Sequence, residues 1–212
     1  SAVPLTWHSL ILVGSRGGLL ATLVVIAGVA YIMKSKKFSV LIFFAFTTFM
    51  VYQGSLLLDR TTETFSSEKL EQEKPINPRL LSWSVAVDLI PMYPIFGVGV
   101  EKYQAASRAH FPGKTANVAH NTFLNFSANA GLLAGILFLI IVFSSVIKLR
   151  WIRNEEKKFD NPAFYALSAS SLAILGFFIC SIFLDLIIFE PFYLALVLNI
   201  VSWRFIQKSP EK

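Results

Sequence analysis

The sequence predicts an all-α, polytopic membrane protein with about five transmembrane helices and one large outward loop. Three observations carry that expectation. Hydrophobic residues make up 55% of the chain, with mean hydropathy +0.61, where soluble domains sit near about 45–50%. The excess lies in long uninterrupted apolar runs of the length that crosses a bilayer. The net charge of +6 is also unevenly spread. The short segments 34–37, 148–160 and 204–212 hold eleven basic residues against four acidic ones, whereas the long stretch 59–119 holds seven of each sign. Short basic connections stay in the cytoplasm and long ones cross regardless of charge, so 59–119 faces outward. The basic excess is topological and implies no nucleic acid.

Taken in order, residues 4–13 are apolar but too short to span. Gly14-Ser15-Arg16-Gly17-Gly18 then opens a first span over 17–33. Bare N–H groups at a helix start beside a guanidinium suit a phosphate, and an arginine that snorkels to a lipid headgroup gives the same pattern. Lys34, Lys36 and Lys37 close this span, and 38–58 forms the second. Residues 59–74 are hydrophilic and solvated. Asn77-Pro78 is a helix start, with Asn as N-cap and Pro at the first helical position. The apolar-rich stretch 79–90 reads as an interfacial helix anchored by Trp83 and ended by Pro91. Pro94-Ile95-Phe96-Gly97-Val98-Gly99 is a turn whose glycines permit positive φ or close backbone approach. His110, in H-F-P-G, reads as a loop residue.

Residues 117–151 begin polar, with His120, Asn121, Asn125 and Asn129, then turn wholly apolar and stop in a basic cluster. This describes a spanning helix over 120–147 whose outer end carries polar groups. His120 falls in its first turn, where the positive end of the helix dipole favours a neutral ring able to take a proton from a hydroxyl. Asn121, Asn125 and Asn129 form a stripe beside it, and a capping cluster would look the same. Ser127, Gly131, Ala134 and Gly135 make a small-residue face that another helix can approach. Spans over 163–184 and 187–206, joined near Asp185–Pro191, complete the chain. The single cysteine, Cys180, excludes an internal disulfide. His8, His110 and His120 are too scattered for a metal site. Residues 1–212 read as one membrane domain, the C-terminal portion of a longer protein.

S-R-G-G at 15–18, R-x-x-x-W at 79–83, P-I-F-G-V-G at 94–99, and H-N followed by G-L-L within 120–133 together resemble the O-antigen ligase family. That family takes in related polysaccharide polymerases and protein O-oligosaccharyltransferases. The resemblance implies a membrane-embedded, GT-C-like glycosyltransferase of the bacterial inner membrane with its active face in the periplasm. It would move a glycan from undecaprenyl diphosphate to an acceptor hydroxyl, foremost on lipid A-core, without metal or other cofactor. Polymerisation of repeat units is the runner-up, followed by protein O-glycosylation. In this picture Arg16 and Arg79 bind the diphosphate and stabilise it as leaving group, and His120 orients or deprotonates the acceptor. Asn121, Gly97, Gly99, Trp83 and Ser15 would be substrate-binding neighbours. A transporter would instead place polar groups near mid-membrane on broken helices, whereas here they gather at one face.

Overall fold

The computed structural model describes residues 16–37, 39–44, 47–48, 78–114, 116–155 and 161–208. Among them all regular structure is helical: α1 (Arg16–Met33), α2 (Pro78–Met92), α3 (Tyr103–His110), α4 (Thr122–Ala130), α5 (Leu132–Asn154), α6 (Pro162–Ser181) and α7 (Glu190–Lys208). Residues 39–44 are helical too. Most of the expected second span, the hydrophilic stretch 59–74, Ser15 and Asn77 lie outside the described residues, and so does the side chain of Arg16.

By length and composition α5 and α6 can each cross a membrane, while the apolar part of α1, Leu20–Met33, is shorter. The helix α6 is the hub, packing against α1, α5 and α7. It starts at an Asn161 N-cap, whose side chain accepts from the Ala163 N–H, followed by Pro162 at the first helical position.

Two apolar clusters fill the bundle. Toward the basic end, Ile32, Leu149, Ile152, Leu167 and Leu172 pack together with Trp203 against them. Toward the other end, Phe138, Val142, Ile174, Phe177 and Phe192 do the same, with the Phe177 and Phe192 rings stacked 4.0 Å apart. Asn199, fully buried on α7, ties three helices. Its Oδ1 accepts from Lys148 Nζ on α5 at 2.6 Å, and its Nδ2 donates to Ser170 and Ser171 on α6 at 3.2 and 2.8 Å. Such a group must be satisfied when water is excluded.

A third cluster is separate and caps the end opposite the basic residues. Val85, Ala86 and Leu89 of α2 pack on Tyr103 of α3, Ala116, Ala119 and Ala128 of α4. Two expectations change here. Stretch 59–119 contains α3 besides the expected helix, and α2 runs through Pro91 to Met92. A proline in the last turn costs one backbone bond at a point where the ladder is ending anyway.

The largest departure concerns 120–147, which is not one helix. It breaks at Gly131, with φ 95° and ψ 160°, into α4 and α5. In a straight helix Ser127 and Gly135 would stand about 12 Å apart along the axis, yet a Cβ on Gly135 would overlap the Ser127 hydroxyl. The small-residue face is therefore filled by α4 itself, folded back on α5.

Candidate functional site

The corner at Gly131 is built backbone to backbone. Residues 94–99 run across the end of α4, where the Val98 N–H donates to the Ala128 carbonyl at 2.8 Å and the Gly99 N–H to the Asn129 carbonyl at 3.0 Å. The Leu132 N–H returns to the Pro94 carbonyl at 2.9 Å. A Cβ on Gly97 would overlap the Asn129 carbonyl, and one on Gly131 the Ile95 carbonyl. Both glycines also have positive φ, 65° and 95°, so only glycine fits at either. Asn129 completes the corner. Its Oδ1 accepts from the Tyr103 N–H at 3.2 Å, and its Nδ2 donates to the carbonyl and side-chain oxygens of Asn125.

His120 stands one residue outside α4, not in its first turn. Asn121 is the N-cap: extended in backbone, it accepts from the Leu124 N–H at 3.0 Å. His120 itself has φ 51°, left-handed for a residue with a side chain. Such conformations cost about 1–3 kcal/mol and cluster at functional positions. Its carbonyl faces the Trp83 indole N–H at 3.4 Å. Trp83 is half-buried and turned to the protein. Arg79, exposed, precedes it by four residues and so shares its face of α2.

The other side of His120 is fastened to the α6–α7 connection. Asn121 Nδ2 donates to the Ile182 carbonyl at 3.1 Å. The Thr122 hydroxyl donates to the Leu184 carbonyl at 2.9 Å and accepts from the Leu186 N–H at 3.1 Å. Thr122 is fully buried, so its own two bonds are shielded from water. The same connection meets the start of α1. Phe183 packs beside Gly17, 3.5 Å from where a Cβ would stand, and Cys180 Sγ lies 4.0 Å from the Gly17 carbonyl. A continuous path of contacts thus runs from the residue after Arg16, through 180–186 and Asn121–Thr122, to His120 and then Trp83.

The sequence-picked residues divide accordingly. His120, Asn121, Trp83 and the helix turn bearing Arg79 come together, with the first turn of α1 joined through Phe183. Gly97 and Gly99 belong to the Gly131 corner. Asn121, expected beside substrate, has its carboxamide engaged at both ends in capping α4 and holding the 182–186 segment. Thr122 and that segment were not singled out from the sequence, because a threonine after a capping asparagine carries no sign of partners sixty residues away. Tyr103 was also missed. Its buried hydroxyl donates to the Ser82 carbonyl at 2.6 Å and pins α3 to α2, and burial raises its pKa above the ordinary phenol range.

Beside α4 lies a cavity of about 580 Å³ between Glu101–Gln104, Asn117–Val118 and Asp185–Phe189. His120 and Arg79 do not line it. Among the described residues no three His, Cys, Asp or Glu side chains group as a metal site would require.

Two comparisons bear on these residues. A protein-family model described as O-antigen ligase matches residues 2–139. No curated protein matches the chain.

Proposed function

We propose, from the premise that the chain belongs to the O-antigen ligase family, that it transfers a glycan from undecaprenyl diphosphate to an acceptor hydroxyl on lipid A-core. In this reading the bundle sits in the bacterial inner membrane with five spans, the basic end cytoplasmic and the α2–α4 cap periplasmic. The observation that carries it is the contact path joining the start of α1, the 182–186 connection, His120 and α2, all at the end away from Lys148 and Arg153.

The chemistry in this reading falls to His120 on that path and to the arginines at its two ends. The imidazole of His120 accepts the proton of an acceptor hydroxyl as its oxygen bonds to the anomeric carbon of the donor. The bond from that carbon to the diphosphate oxygen breaks, and negative charge grows on the leaving group. Arg16 and Arg79, pairing with phosphate oxygens through their guanidinium forks, stabilise it. The left-handed backbone at His120, with its carbonyl facing the Trp83 indole and Asn121 tied into α4, fixes where the residue stands. Positioning of this kind counts for as much as basicity.

The test is replacement of His120 by Ala in the chromosome, with lipopolysaccharide resolved on gels. Transfer should fall about a hundred-fold or more, removing the ladder while undecaprenyl-linked polymer accumulates. A ladder collapsed to one repeat unit would identify a polymerase instead. An unchanged ladder would overturn the role of His120.

A further inference from the structure

The cavity beside α4 differs in character from the His120 path, and that difference points to a ligand. Carboxylates come from two sides, Glu101 from the loop before α3 and Asp185 from the α6–α7 connection, and no basic side chain lines it among the described residues. A diphosphate would be repelled there. Hydroxyl groups would be attracted, since an ionised carboxylate accepting from O–H makes a short, charge-assisted bond. Asn125 adds a donor. It is 6% exposed and lines the cavity, and its Oδ1 is taken by Asn129 while its Nδ2 has no partner among the described residues. Phe126 and Phe189 contribute aromatic surface. Acceptors, a donor amide and flat apolar faces in a volume of about 580 Å³ suit a sugar ring, polar at its rim and apolar on its faces.

Backbone geometry holds these groups at the cavity. Glu101 has φ 59°, left-handed for a residue with a side chain, in the loop between Gly99 and α3. Asp185 follows Leu184, whose carbonyl is held by Thr122, and its own Oδ1 lies 3.5 Å from the Ile187 N–H. Asn117, three residues before His120, lines the cavity and accepts from Gln104 Nε2 at 2.5 Å.

We propose that this cavity is a glycan-binding subsite, in which Glu101, Asp185 and Asn125 bind sugar hydroxyls beside α4. The proposal rests on the transfer reading for its substrate class, but it can be measured without turnover. Phosphate chemistry belongs to the arginine side and hydroxyl chemistry to this one. The sugar recognised belongs either to the donor glycan or to the acceptor, and free saccharides separate the two.

The experiment is saturation-transfer NMR on the purified full chain in detergent. One arm uses lipid-free core oligosaccharide, the other the repeat-unit oligosaccharide without its diphosphate. At least one should receive saturation, and Glu101→Gln with Asp185→Asn should weaken its binding about ten-fold or more. Asp185→Asn keeps the oxygen facing Ile187. Ile188→Trp narrows the cavity from an exposed position and removes no hydrogen bond, so it should give the same loss with an unchanged melting temperature. The arm that responds names the source. No saturation of either sugar, or equal saturation in wild type and both variants, overturns the subsite. Saccharide binding that persists in a chain with no transferase activity would sustain the subsite and sink the transfer reading.

Discussion

The two ends of the bundle are held in opposite ways. At the basic end the partners are side chains on ordinary helices. Trp151 stacks on Phe164 at 5.5 Å and meets Trp203 edge-on at 4.8 Å, and Lys148 reaches Asn199. At the far end, main chain meets main chain across the Gly131 corner, and positive φ recurs at Gly97, Gly99, Glu101, His120 and Gly131. Only Lys34 breaks the contrast among the described residues. Side-chain packing tolerates replacement by anything of similar volume. Backbone contact tolerates nothing larger than the atoms already there, but it fixes geometry more tightly. The end proposed to aim reactive groups is the one built the second way.

The strongest attempt to break this contrast is Gly131→Ala. The added methyl would overlap the Ile95 carbonyl at a φ of 95°. Strain and overpacking together should cost about 3–5 kcal/mol. A melt in detergent should show the loss, with no transfer at any temperature. Next comes Asn199→Ala at the basic end, which leaves Lys148 and two serines without their shared partner. We expect a loss of about 1–3 kcal/mol, and lipopolysaccharide ladders that survive at low growth temperature. If that variant lost transfer while folded, the two ends would not be functionally separate.

Thr122→Val is subtler. It conserves shape but removes bonds to Leu184 and Leu186. The expected cost is about 1 kcal/mol, with transfer falling further than the melting temperature alone would explain. Smallest of all is Gly113→Ala, where a Cβ would meet nothing within 4 Å. Both stability and ladder should stay within about 0.5 kcal/mol-equivalent of wild type. A large effect there would mean the loop has a partner.

Much of the helical layout was legible because long apolar runs have few alternatives. Helix α2 begins at Pro78, as read, whereas α6 ends at Ser181 and α7 begins at Glu190, short of the expected bounds at 184 and 187. The break at Gly131 was not legible. A lone glycine in a helical pattern costs only about 1 kcal/mol, and what holds the break is the Pro94 carbonyl, thirty-eight residues before the Leu132 N–H that it accepts from. Helix α3 is short and alanine-rich, so propensity hinted at it, but its buried face consists of Tyr103 and Ser107, too little for an apolar period. The motifs that carried the family resemblance hold His120 and Trp83, which the fold brings into contact. They could not reveal that Asn121 and Thr122 spend their polar atoms on the chain itself.

The clasp between Thr122 and residues 182–186 has a further consequence. The family match ends at residue 139, so the backbone at Asn121 and Thr122, next to His120, is held by a connection that lies outside the matched stretch. Exchange of residues 182–186 should therefore shift the backbone beside His120 without altering any position inside 2–139.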